Sequence, residues 1–164
     1  MENENNLFGD LLYERAVDMS VLSNFNCGIS AMDDFIHNSL QEAIARDGLD
    51  TYFVKKDNEI MAVFSICEHM LRTKISSGEY VFYDTIEIEY LAVKNTAQRQ
   101  GIGKSIIDLI AEKLMQGRNM LSVSAYVDID TKYSAVPFYE ECGFRRIGRP
   151  LHALADTVRM IKFL

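Results

Sequence analysis

The 164-residue chain has no tryptophan, two prolines and three cysteines. It also lacks any stretch approaching the roughly 18 consecutive apolar residues of a membrane helix, so neither a helical span nor a membrane partner is expected. Residues 1–6 are acidic and polar, without a basic segment or an apolar run, which speaks against a signal or transit peptide and makes the cytoplasm the expected location. Cys27, Cys67 and Cys142 lie far apart with no Cys-x-x-Cys, and an odd number cannot complete a disulfide framework, so they read as reduced thiols. Cys142, beside Gly143, has no sequence neighbour that would complete a nucleophile and base pair, and packing is its expected role. His37, His69 and His152 are scattered without metal-ligand spacing, so no metal is expected and His69 reads as an ordinary surface histidine. The absence of repeats, low-complexity tracts and Pro/Ser-rich linkers leaves residues 1–164 as a single expected domain.

What is present suits one compact α/β domain with a sizeable core: 48% of residues are apolar and 25% charged. The net charge of −7 conceals an asymmetry. Residues 1–93 carry six Lys/Arg against 17 Asp/Glu, a balance of −11, whereas residues 94–164 carry 11 against seven, a balance of +4. A polyanionic cofactor sits more easily on the second half and a cationic acceptor on the first; two solvated faces are the competing explanation.

A short strand is expected to begin the segment 11–21, with a loop over 22–29. Ser30 reads as an N-cap with Asp33 three residues on, and Met32, Phe35, Ile36, Leu40, Ala43 and Ile44 recur at helical spacing, which predicts one amphipathic helix over 31–46 stopped by Gly48. Residues 51–56 and 59–67 flank an Asp57-Asn58 turn and predict a hairpin. A long connection over 69–84 follows, holding Ser76-Ser77-Gly78 and one short strand expected at 80–83. Residues 85–93 alternate and then run apolar through Tyr90-Leu91-Ala92-Val93, the pattern of a buried central strand. After a turn at 94–100, Ile102, Ile106, Ile107, Ile110 and Leu114 line one face of a helix reaching about residue 116. A strand over 119–127, a short helix over 134–142 with Pro137 in its first turn, and strands at 144–147 and 157–163 complete a mixed sheet with helices packed on it.

The most informative stretch is Gln98-Arg99-Gln100-Gly101-Ile102-Gly103-Lys104-Ser105, which joins a buried strand to an amphipathic helix. Backbone N–H groups at a helix N-terminus lack intrahelical partners and carry partial positive charge, so they suit a phosphate, and glycine lets it approach closely. Gly103-Lys104-Ser105 resembles the tail of a Walker A loop, but the leading glycine of that motif is replaced by Gln98. Gly101-x-Gly103 begins like a dinucleotide fingerprint, but its third glycine is replaced by Ile106. Glycines that merely aid packing are the bland alternative.

Gln-x-x-Gly-x-Gly after a strand resembles the pyrophosphate motif of the GNAT acetyltransferase superfamily. Tyr90-Leu91-Ala92-Val93 upstream resembles that family's central strand, and Phe138-Tyr139-Glu140-Glu141-Cys142-Gly143-Phe144 downstream resembles its C-terminal signature. Phe25-Asn26-Cys27-Gly28 followed by Met32-Asp33-Asp34-Phe35-Ile36 is similar to the start of the GNAT toxins of bacterial toxin–antitoxin pairs, which acetylate aminoacyl-tRNA. The resemblance implies a GNAT-like acyl-CoA acyltransferase fold, α+β, with a mixed, mostly antiparallel central sheet flanked by helices. It implies acetyl-CoA as the cofactor, released as CoA, and an N-acetyltransferase moving its acetyl group to a primary amine by direct attack in a ternary complex.

Carried onto this chain, the resemblance gives Leu91, Ala92 and Val93 to the thioester and pantetheine, with a bulge near Leu91 and the Leu91 N–H as oxyanion donor. It gives Gln98, Arg99, Gln100, Gly101, Ile102, Gly103, Lys104 and Ser105 to the pyrophosphate. The amine must lose a proton before attack, and Glu87 or Glu89, two apart on one strand, or a water chain is the candidate base; two solvated carboxylates are the competing reading, and Glu89 as a substrate-binding anion is a third. Tyr139 is the candidate acid for the departing thiolate and a cofactor contact, against a purely aromatic packing role, with Tyr133 able to substitute. Lys132-Tyr133 stands where many relatives carry a cofactor-binding Asn.

Three functions follow: acetylation of a small-molecule or peptide amine, acetylation of aminoacyl-tRNA, or non-catalytic acyl-CoA binding. The acidic net charge disfavours tRNA, whose phosphates would need the cluster Arg145, Arg146, Arg149, Arg159 and Lys162. Exposed ends of such sheets often pair, so a homodimer is one expected state.

Overall fold

A computed structural model of the protein describes residues 6–147 and 157–164. The strands follow the order β1-β2-β3-β4-β5-β6-β9-β8 in one sheet, with β7 paired to β6. Every pairing for which a register is given is antiparallel except β5 with β6, so the expected mixed, mostly antiparallel sheet with flanking helices is what forms. The chain divides into two compact units, one of residues 1–67 and 90–109 and one of residues 68–89 and 110–164.

The first unit holds β1 (Asn6–Phe8), β2 (Leu11–Arg15), α1 (Ser30–Asn38), α2 (Leu40–Asp47) and β3 (Asp50–Lys56). It also takes the start of β4 (Glu59–Lys74), the end of β5 (Tyr80–Val93) and most of α3 (Ile102–Lys113). Its core gathers Leu22, Phe25, Cys27, Ile36, Leu40, Phe53, Val63 and Ala92, joining both helices to the strands through apolar burial. The expected single helix over 31–46 is two helices, because Ser39 leaves helical geometry at φ −130°. The apolar period runs through that break and cannot register one residue, whereas serine is a poor helix-interior residue. Ser30 is not the cap either: Ile29 holds that position, and the Asp33 carboxylate accepts the Cys27 N–H at 2.7 Å instead of closing a capping box.

The second unit holds the rest of β4 and β5, the end of α3, β6 (Met120–Asp128), β7 (Tyr133–Ser134), α4 (Val136–Glu141), β8 (Arg145–Arg146) and β9 (Thr157–Phe163). The long connection expected over 69–84 is instead the distal half of the β4–β5 hairpin, whose turn spans only 75–79. Ile75 N–H bonds Glu79 O at 2.9 Å and Gly78 N–H bonds Ile75 O at 2.9 Å, so Ser76-Ser77-Gly78 marks a tight turn. Exposed Glu68, Met70, Arg72 and Lys74 alternate with less exposed neighbours, a strand period that their mixed chemistry hides from a hydrophobicity pattern. The strand at 157–163 and Pro137 in the first turn of the short helix stand where the sequence places them.

Candidate active site

In the first unit the end of β5 leads through a 3-10 turn at Asn95–Ala97 into the Gly-rich segment and α3. Arg99 and Gly101 both take positive φ, 61° and 81°. Left-handed residues in a turn are a backbone arrangement that brings neighbouring N–H groups toward a common centre in anion nests, and residues 99–104 are named the nest on that likeness. The first intrahelical bond of this stretch runs from Ser105 N–H to Gly101 O at 3.0 Å, so the amides of Ile102, Gly103 and Lys104 form a first turn without intrahelical partners. No acidic residue occupies that turn, and the space where a Gly101 side chain would begin is open to 4 Å. A diphosphate fits this arrangement of amides, partial positive charge and room.

Gln98 has a different part from its neighbours. Its Nε2 donates to Cys27 O at 2.6 Å and to Val93 O at 3.0 Å, and its own N–H turns back to Asn95 O at 3.4 Å. It therefore pins the nest to the strand end and to the loop at 25–28. That loop is held in turn by Asn95 N–H on Asn26 O at 2.7 Å, by the Asp33 bond to Cys27, and by His37 Nε2 against Phe25 O at 2.7 Å. Phe35 stacks on Tyr90 with centroids 4.2 Å apart. The residues singled out in Phe25–Gly28 and Met32–Ile36 thus form a brace beneath the nest. Lys94 N–H bonds Met61 O at 2.7 Å on β4, and strand alternation turns the neighbouring Val93 amide the other way. Leu91 and Val93 are half-buried and Ala92 is buried. Cys27 is buried, and burial pushes its thiol up to about 11, so it packs as an inert group.

In the second unit β5 pairs β6 in parallel only from Ile86↔Leu121 to Ile88↔Val123. Glu87 lies inside that pairing and is buried, while Glu89, one residue past it, is exposed; the two expected carboxylates therefore have different environments. The Glu87 Oε1 accepts from Arg159 of β9 at 2.6 Å, and Oε2 lies 3.2 Å from His69 Nε2 of β4. The latter is an ion-pair distance without hydrogen-bond alignment, so Oε2 is left buried with no hydrogen-bond donor among the described residues. Burial raises the Glu87 carboxyl above its ordinary range, and the Arg159 and His69 charges only partly offset this. Thr85 anchors the strand beside it, bonding Ser122 Oγ at 2.8 Å and His69 O at 3.1 Å.

Tyr139 on α4 is buried, edge-on to Phe138 at 5.0 Å and to Phe144 at 5.3 Å. Burial drives its phenol well above the ordinary value, so it keeps its proton. Tyr133 lies on β7 in a tilted contact with Tyr126, not on the helix. Of the expected basic cluster, Arg159 is committed to Glu87, Arg146 to Glu140 at 2.9 Å and Lys162 to Cys142 O at 2.7 Å; Arg145 is exposed. Arg149, like His152, lies outside the described residues. Among the described residues no group of three or more His, Cys, Asp or Glu is arranged around a metal position, and no helix is long and apolar enough to cross a membrane.

The family model described as Acetyltransferase (GNAT) family matches residues 17–144. The chain belongs to the GNAT acetyltransferase family. It is an acetyl-CoA-dependent N-acetyltransferase, and the sheet described above is the GNAT fold. Solved GNAT structures share that fold. An AtaT mutant toxin bound to the C-terminus of the antitoxin AtaR and acetyl-CoA is 18% identical with a TM-score of 0.64, covering 93% of this chain and 92% of that one. AtaT complexed with acetyl-methionyl-tRNAfMet is 18% identical at a TM-score of 0.63, over 92% and 94%. A KacT mutant is 14% identical at 0.62, over 92% and 94%. No curated protein matches the chain.

No local sequence signal marks Arg159 as the partner of Glu87 or sets His69 apart from an ordinary surface histidine. They lie 72 and 18 residues from Glu87, and only the sheet order β4-β5-β6-β9 brings all three together.

Proposed function

We propose that this protein acetylates a primary amine by direct attack on acetyl-CoA while both are bound. The observation that carries the reading is the turn at 99–104, left-handed at Arg99 and Gly101, with open space beside Gly101 and no acidic residue in the first turn of α3. In this reading the amides of Arg99 to Lys104 hold the diphosphate, with Gln98 locking the turn from behind. Leu91, Ala92 and Val93 line the pantetheine, and the Leu91 N–H polarises the thioester carbonyl. An amine with a pKa of about 10 arrives protonated, and only its free base attacks. Glu87, buried yet paired, supplies the negative charge that stabilises removal of that proton, while Glu89, exposed on the same strand, attracts the cation. Tyr139 retains its proton at neutral pH and gives it to the departing thiolate. The chain is read as one functional domain over 1–164, working in the cytoplasm without a metal.

The acceptor is a small-molecule or peptide amine in this proposal. Aminoacyl-tRNA is the second reading, supported by the fold likeness to AtaT, one of whose structures carries acetyl-methionyl-tRNAfMet, and by the Phe25–Ile36 brace. Against it, the basic side chains expected to meet phosphate are largely engaged within the chain.

The test incubates acetyl-CoA with a panel of amines and with aminoacyl-tRNA, following free thiol. Wild type is expected to release CoA against small amines, Gly103→Glu to lose acetyl-CoA affinity, and Tyr139→Phe to lose about 100-fold in kcat with affinity kept. Thiol release with tRNA alone would transfer the proposal to the second reading. Coenzyme binding without release for every acceptor would leave a non-catalytic module.

A further inference from the structure

Glu87 presents a problem to any account that makes it the group touching the amine. Its side chain is 6% exposed, and Oε2 is sealed from solvent. A substrate nitrogen therefore has no path to that oxygen in this structure. Oε1 is already taken by Arg159 at 2.6 Å. What stands beside Oε2 is the His69 ring, Nε2 at 3.2 Å, and that side chain is 36% exposed. Thus the carboxylate is inside, the imidazole spans from it toward solvent, and the guanidinium fixes the carboxylate from the other side.

We propose that His69 is the group that takes the proton from the acceptor ammonium, and that Glu87 and Arg159 are positioning residues acting through it. This rests on the acetyl-transfer reading above. The neutral imidazole turns its Nε2–H to Glu87 Oε2, a small ring rotation from the present placement. Nδ1 then presents its lone pair outward. The N–H bond of the ammonium breaks, its proton forms the second N–H of an imidazolium, and its electron pair stays on nitrogen to attack the thioester. The Glu87 carboxylate offsets the new positive charge, and Arg159 keeps that carboxylate ionised and oriented. No redox partner or further reactant is needed.

The local charges agree with this division. Among the described residues, the titratable groups acting on Glu87 are Arg159 from β9, His69 from β4 and Glu89 on its own strand. β6 presents the Ser122 hydroxyl, held by Thr85. Glu68, next to His69 in sequence, is turned to Arg118 at 3.1 Å. Burial holds the Glu87 carboxyl above its ordinary range, a cost that a packing residue would not need and that sites of proton transfer commonly carry.

The experiment has two arms on the whole chain. Carbon-13 spectroscopy follows the Glu87 carboxyl against pH in wild type, His69→Gln and Arg159→Met. Its titration is expected to rise in both variants, more for Arg159→Met, since each removes a favourable charge. The second arm measures kcat, KM and their pH profiles with the best amine found. His69→Gln is expected to lower kcat about 100-fold and flatten the acid side of the profile. Glu87→Gln should lower kcat about tenfold with KM for acetyl-CoA unchanged, and Arg159→Lys should recover much of what Arg159→Met loses. Active His69→Gln protein with the wild-type profile would overturn the assignment and leave acetyl transfer intact. The expected Glu87 titrations in a protein that acetylates nothing would overturn both.

Discussion

Gln98 offers the sharpest test of how the coenzyme loop is held. Replacing it with alanine removes two hydrogen bonds, at 2.6 Å to Cys27 O and 3.0 Å to Val93 O, and unties the nest from both. A neutral hydrogen bond contributes about 0.5–1.5 kcal/mol net. Because Gln98 is exposed, the lower part of that range applies, about 1–2 kcal/mol for the pair. If the loss falls on the conformation that binds coenzyme, the dissociation constant rises about five- to thirtyfold. If it falls on folding, Tm drops by roughly 2–8 °C for a chain of this size. Calorimetric titration with acetyl-CoA and a thermal melt separate the two, and we expect the larger part in affinity, with kcat at saturating coenzyme little changed. Unaltered affinity and an unaltered melt would refute the claim that Gln98 braces the loop.

Three further outcomes follow from the same structure. Gly143 sits at φ +91° with the Lys162 chain at ordinary contact distance, so Gly143→Ala should destabilise by about 1–3 kcal/mol through backbone strain, and Gly143→Asn by less; chemical denaturation measures both. The Cys27 thiol, at about 11, should resist an aromatic disulfide reagent at pH 8 until the chain unfolds, and rapid reaction of the native protein at that position would contradict its burial. The Glu87 carboxyl, raised by burial, holds its proton longer when folded than when unfolded. Its contribution to stability is therefore fully present below the ordinary glutamate range and is lost as pH rises toward the raised value. Glu87→Gln lacks this term, so its stability relative to wild type should increase with pH across that window and then level off; a difference independent of pH would show that the carboxyl is not raised.

How much of this was readable beforehand depended on whether the signal was local. The Gly-rich turn was legible because a strand, a glycine pair and an amphipathic helix follow one another within a few residues. Thr157–Phe163 was legible because its strand pattern is contained within seven consecutive residues. The break at Ser39 was not, since the apolar stripe continues through it. The distal hairpin was hidden because strand residues such as Glu68, Arg72 and Lys74 alternate by exposure, not by hydrophobicity. Glu87 was singled out by position, but its meaning came from Arg159 and His69, which only non-local strand pairing delivers.

We propose that the amides opening α3 hold the diphosphate of coenzyme A. A crystal structure of the protein with coenzyme A measures this directly. Diphosphate oxygens are expected within hydrogen-bonding distance of N–H groups from Arg99 to Lys104, with Gln98 still bonded to Cys27 and Val93. A coenzyme bound with its diphosphate elsewhere, or a turn at Arg99–Gly103 closed by side chains, would contradict it.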